Sequence, residues 1–136
     1  MIFLAEQKFL LISPKKVRPV ANMAKKLSPT RALESLPFVG NKGAIVLRKV
    51  IASAVANAKA KGASEENLFF KEILINEGPR LKRGIAGAHG RWKPIKKRMS
   101  HIRVILETKQ EVSAKKEQSK EEIKAKEPDK KEGKEK

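Results

Sequence analysis

Between Gly78 and Leu106 the chain carries nine Lys or Arg and no Asp or Glu, with Gly84, Gly87 and Gly90 near the middle of the window. Such a stretch cannot enter a hydrophobic core, and its like charges repel one another unless a polyanion neutralises them. Strand-like residues flank it on both sides. Upstream, Phe69, Ile73 and Ile75 set against Phe70, Glu72 and Leu74 read as a strand over 69–76; downstream, Ile102, Val104 and Leu106 alternate with Arg103 and Ile105. Strand, basic segment and strand form a hairpin over about residues 77–103. Folded back at Gly87, each arm has about 13 residues and reaches ~40 Å, beyond the radius of a domain this size. Between Arg80 and His101 its larger apolar residues are only Leu81, Ile85, Trp92, Ile95 and Met99. Because an isolated two-stranded ribbon is marginal in water, the arm is expected to be ordered by an anionic partner, and RNA fits.

Charge is distributed unevenly along the 136 residues. Residues 1–77 are net +7, residues 78–106 net +9 and residues 107–136 net +1, which together make the +17 of the whole chain. The Lys- and Glu-rich C-terminus therefore adds almost nothing to the field that attracts a polyanion. From 109 to 136 only Val112 and Ile123 are sizeable apolar residues, so this tail is expected to be disordered and residues 1–108 to form one domain. There is no Cys, which removes disulfides and thiolate metal sites and fits a reducing, cytoplasmic setting. The N-terminus lacks a basic n-region with a long apolar stretch, and no apolar run approaches the ~20 residues of a membrane span.

The upstream segment reads as strand and helices. Residues 2–12 form a strand ending at Ser13-Pro14, a helix start. Val17, Val20, Ala21, Ala24 and Leu27 then recur at helical spacing, with Lys15, Lys16, Arg18, Lys25 and Lys26 on the other positions. After Ser28-Pro29, Thr30 can cap a short helix through Leu36. The best-defined helix starts at Asn41 or Lys42 and runs to about Lys61, with Leu47, Val50, Ile51, Ala54, Val55 and Ala58 on one side and Gly62 as its stop.

Competing chemistries find little support. His89 and His101 suggest a metal pair or a general base, but the chain has no Cys and its only Asp is Asp129 in the tail, so no ligand or acid-base set surrounds them. No catalytic residue, metal or cofactor is expected. Trp92 reads either as a stacking platform for a base or as a residue packed across the ribbon. Composition alone also allows an architectural DNA-binding protein with a basic arm. A membrane-surface role would need a basic amphipathic helix with large apolar residues, whereas the most basic segment reads as a ribbon.

Several separated motifs, in order, resemble one family. Asn76-Glu77-Gly78-Pro79-Arg80-Leu81-Lys82-Arg83, then Ala88-His89-Gly90-Arg91, then Ile95-Lys96-Lys97-Arg98-Met99-Ser100-His101-Ile102 are similar to the signature of the large-subunit ribosomal protein 22 family, bacterial type. Ser13-Pro14-Lys15-Lys16-Val17-Arg18 and Ala52-Ser53-Ala54-Val55-Ala56-Asn57-Ala58 also resemble its pattern. The resemblance covers roughly residues 3–107. It implies an α+β fold, helices packed on a small three-stranded antiparallel sheet, with an extended hairpin threading large-subunit ribosomal RNA. It further implies RNA contacts through Arg80, Lys82, Arg83, Arg91, Lys93, Lys96, Lys97, Arg98 and His101, and a second patch at Lys15, Lys16 and Arg18. The tip, Ala86, Gly87, Ala88, His89 and Gly90, would line the nascent-peptide exit tunnel, near the nascent polypeptide and neighbouring ribosomal proteins. The family's usual Pro-Arg-Ala is absent from Ala86-Gly87-Ala88, and Trp92 stands where a small residue is typical.

Overall fold

The computed structural model describes residues 1–108; the expected disordered tail lies outside them. The fold is α+β, with three helices on one face of a three-stranded antiparallel sheet. Strand β1 (Ile2–Leu10) is followed by α1 (Pro14–Ala24), α2 (Pro29–Ser35) and α3 (Lys42–Ala60). Strands β2 (Leu68–Ala86) and β3 (Trp92–Thr108) complete the sheet in the order β1-β3-β2. Their sequence neighbours at the distal end form the hairpin, while β3 alone holds both edges together.

The core lies between the helices and the inner face of the sheet. Phe3 and Ala5 of β1, Ile73 of β2, and Ile102, Val104 and Leu106 of β3 meet Leu47, Val50, Ile51, Ala54, Val55 and Ala58 of α3, joined by Val17, Val20, Ala21 and Ala24 of α1. The helical spacing of α3 is thus its buried face, and its alanines allow the close approach. Asn41 caps it by accepting the Gly43 amide at 3.0 Å, and Gly62 follows with φ 77°. Asn41 also donates to the Lys16 carbonyl at 3.2 Å, which fastens the start of α3 to α1.

Three local expectations are corrected. Helix α1 stops at Ala24, and Lys25, Lys26 and Leu27 form a turn that leads to Ser28, whose extended backbone with ψ 155° suits the residue before Pro29. The cap of α2 is Ser28, whose hydroxyl accepts the Arg31 amide at 3.4 Å; Thr30 lies inside the helix, bonded to Ser28 at 3.2 Å. In β2 a register shift between Phe70 and Glu72 changes the phase of alternation, so Leu68 and Phe70, with Ile73 and Ile75 beyond it, face the core. Phe69, grouped with Ile73 and Ile75 by simple alternation, falls on the other face.

A second register shift, between Glu77 and Arg80, marks where the hairpin leaves the body. Pro79 sits inside it and has no N–H to give the ladder, so the break falls where pairing is weakest. Beyond the shift Arg80–Ala86 pairs with Trp92–Arg98, a projecting ribbon of about 20 Å. It is shorter than the full hairpin because residues 73–77 and 100–104 belong to the core sheet.

The chain reverses at His89 and Gly90, not at Gly87. Both have positive φ, 55° and 69°, and the Arg91 amide donates to the Ala88 carbonyl at 3.3 Å. Positive φ at both central residues is the mark of a type I′ turn, whose twist matches a two-stranded ribbon. Gly87 is instead extended, and its amide donates to the Arg91 carbonyl at 2.7 Å.

Candidate nucleic-acid interface

Register decides how the basic residues of the ribbon are displayed. Directly opposed residues of an antiparallel pair share a face, and alternate residues along a strand return to it. The pairs Arg80 with Arg98, Lys82 with Lys96, Gly84 with Pro94 and Ala86 with Trp92 therefore form one face. The opposite face carries Leu81 with Lys97, Arg83 with Ile95 and Ile85 with Lys93. The first face places four cations in two like-charged cross-strand pairs. Like charges directly opposed destabilise a ribbon, so this arrangement is unfavourable until an anion lies along it.

One carboxylate tempers that face at its base. Glu77 accepts a hydrogen bond from Arg80 at 2.7 Å. That bond, then the Arg80 charge, hold the Glu77 carboxyl below the usual carboxylate range, and Arg98 and Arg18 act in the same direction. The Glu77 carboxylate therefore stands in a field shared by the hairpin and α1. Arg83 turns back on its own strand, donating to the Lys82 carbonyl at 2.8 Å.

At the hairpin base the body adds its own cations. A cleft of about 510 Å³ is lined by Leu11, Ile12, Ser13, Lys16, Lys42, Lys96, Lys97 and Arg98. Here Lys16 of α1 joins three consecutive cations of β3, so two patches separate in sequence become one surface. Lys42 was not anticipated. It opens α3, where the helix dipole disfavours a cation, and a basic residue at that position was the available signal. Its neighbourhood to Lys16 depends on the Asn41 bond to α1, a tertiary contact.

The other expected positions are distributed as follows. Lys15, Lys16 and Arg18 are all exposed on α1, and Arg80, Lys82, Arg83, Lys93, Lys96, Lys97 and Arg98 are all exposed on the ribbon. Arg91 follows the turn and, with Lys93, stands at the distal end outside the basal cleft. Ala86 closes β2, and Ala88, His89 and Gly90 form the exposed tip beside the half-buried Gly87. His101 is half-buried at the hairpin base, where its Nδ1 accepts the Phe9 amide at 3.0 Å and its ring meets the Phe9 ring edge-on at 5.0 Å. Phe9 has φ 57° in the irregularity between the Gln7 and Leu10 pairs of β1, so His101 braces a strained point near the strand end. Among the described residues no cluster of three or more metal-binding side chains occurs, and no helix is long and apolar enough to cross a membrane.

Comparison with known proteins bears on the same span. The family described as ribosomal protein L22p/L17e matches residues 5–107. Among relatives named large ribosomal subunit protein uL22, that of Treponema pallidum is 47% identical over 105 residues, covering 76% of this chain and 85% of its own. The Petrotoga mobilis protein is 43% identical over 106 residues, 77% of this chain and 71% of the relative. The Desulfatibacillum aliphaticivorans protein is 44% identical over 103 residues, 76% of this chain and 95% of the relative.

Proposed function

The chain belongs to the ribosomal protein L22p/L17e family, the bacterial uL22 proteins of the large ribosomal subunit, and from that premise we propose that it is a structural RNA-binding component of that subunit. It is a translation protein of the cytoplasmic ribosome, and its relatives are ribosomal proteins rather than enzymes. The ribbon and the basal cleft bind large-subunit ribosomal RNA, tethering separate RNA segments and helping them fold together during assembly. Residues 1–108 act as the RNA-binding domain. The tip, Ala86 to Gly90, lines the peptide exit tunnel near the nascent chain, with neighbouring ribosomal proteins against the body.

The observation that carries this reading is the pairing of Lys82 with Lys96 and Arg80 with Arg98 on one face, continuous with Lys16 and Lys42 at the base. Cations so crowded are stabilised by phosphates, and each contact releases condensed counterions from the nucleic acid. Catalysis would require a carboxylate or metal cluster within the basic region, whereas the nearest carboxylate, Glu77, is occupied by Arg80.

Cosedimentation tests it. The protein is expected to remain with large ribosomal subunits through high-salt washing. Its release at moderate salt, with retention on DNA instead, would contradict the assignment in favour of an architectural DNA-binding protein.

A further inference from the structure

Trp92 is the only tryptophan in the chain, and it is 71% exposed at the distal end of the most basic element. A tryptophan so placed has a large apolar surface in water and no core to enter. It is nevertheless held. The six-membered ring of its indole lies over Gly84, diagonally across the ribbon, in space that even a methyl group on Gly84 would occupy. Gly84 thus serves as a seat, and the aromatic ring covers the backbone that glycine leaves bare. The rest of this face is Ala86 and Pro94, small or flat residues, before the cation pairs Lys82 with Lys96 and Arg80 with Arg98 begin.

Resting on the RNA-binding reading and sharpening it, we infer that Trp92 is a stacking platform for an unpaired nucleobase of the RNA that the ribbon binds. One side of the indole is fixed by Gly84 and the other is open. The Lys and Arg side chains further down the same face bind phosphates, so the strand they hold carries bases past the indole. An extended nucleic-acid backbone with cations below and an aromatic above is the arrangement by which single strands are bound without sequence readout. An apolar peptide would find only one aromatic ring here, amid cations that repel basic segments and offer no apolar groove. Charge complementarity therefore selects RNA. The two readings of Trp92 are also compatible: packing across the ribbon onto Gly84 fixes the ring in the orientation that stacking requires.

The chain contains no tyrosine, so intrinsic fluorescence excited at the indole band reports residue 92 alone. The full chain is titrated with a short single-stranded oligoadenylate and with an abasic ribose-phosphate oligomer of equal length. Oligoadenylate is expected to quench the indole strongly, and the abasic oligomer to bind with little quenching. Trp92→Leu should bind oligoadenylate about 5- to 150-fold more weakly, while Trp92→Phe recovers most of the loss. The dependence of log affinity on log salt should be the same in all three proteins, because the number of phosphates contacted is unchanged. Gly84→Ala, which unseats the ring without removing it, should reduce the quenching.

Equal quenching by the abasic oligomer, or undiminished affinity in Trp92→Leu, would overturn the platform while leaving salt-dependent RNA binding intact. A loss in Trp92→Leu accompanied by a shallower salt dependence would also overturn it, since the indole would then only be shaping the ribbon. A blue shift with an apolar peptide, without quenching by RNA, would reassign the ring to the nascent chain. Absence of salt-dependent RNA binding by the native chain would instead overturn the RNA-binding reading itself.

Discussion

Replacing Lys82, Lys96, Lys97 and Arg98 together by Gln should weaken binding to large-subunit ribosomal RNA by on the order of 10²- to 10³-fold at physiological ionic strength. The slope of log affinity against log salt should become shallower by about 3, because each lost phosphate contact contributes roughly 0.7 to 0.9. Lys82 and Lys96 are direct cross-strand partners, and Lys96, Lys97 and Arg98 line the basal cleft with Lys16 and Lys42. The four side chains are exposed, and none is bonded to a carboxylate among the described residues, so their removal leaves no buried group unpaired. Folding stability should therefore hold or rise slightly as like-charge repulsion is relieved. Filter binding across a salt series reads both quantities. An unchanged slope would mean that these residues do not meet phosphates, whatever the change in affinity.

The second large effect concerns the body and separates folding from binding. Leu47→Ala should cost about 2–5 kcal/mol, since Leu47 is fully buried in α3 and the sheet beneath it cannot close the cavity. That is a large part of the ~5–15 kcal/mol stabilising a domain of this size, and the urea midpoint should fall accordingly. Deleting residues 83–93 should do the reverse. No buried core residue lies between 77 and 99, so the shortened chain should unfold at nearly the native midpoint while its RNA affinity falls. Global unfolding of the deletion, seen by circular dichroism, would show that the ribbon supports the body and would contradict a division of labour between a stabilising body and a binding ribbon.

What could be read in advance followed from periodicity, and what could not followed from irregularity. The buried face of α3 and the inward set Ile102, Val104 and Leu106 obey regular spacing and are legible in the sequence. In β2 simple alternation fails because an extra residue near Lys71 shifts the phase, and no residue type there announces a bulge. The reversal point was displaced by two residues because three glycines compete for it, while the turn uses His89 in a left-handed conformation that glycine is expected to take. The basic character of the interface was visible in composition, but its two faces were not. They depend on a register set by the shift near Pro79 and by the turn. Lys42 joins the site through a contact with α1, distant in sequence, and the Gly84 seat for Trp92 follows from the cross-strand register of the hairpin.

On the proposed function, the ribbon beyond Pro79 finds its partner in ribosomal RNA rather than in its own domain. A density map of the assembled large subunit at side-chain resolution tests it most directly. It should show residues 80–98 enclosed by RNA, with phosphates against Lys82, Lys96, Lys97 and Arg98. A ribbon lying in solvent, or folded onto protein with no phosphate near those side chains, would contradict it.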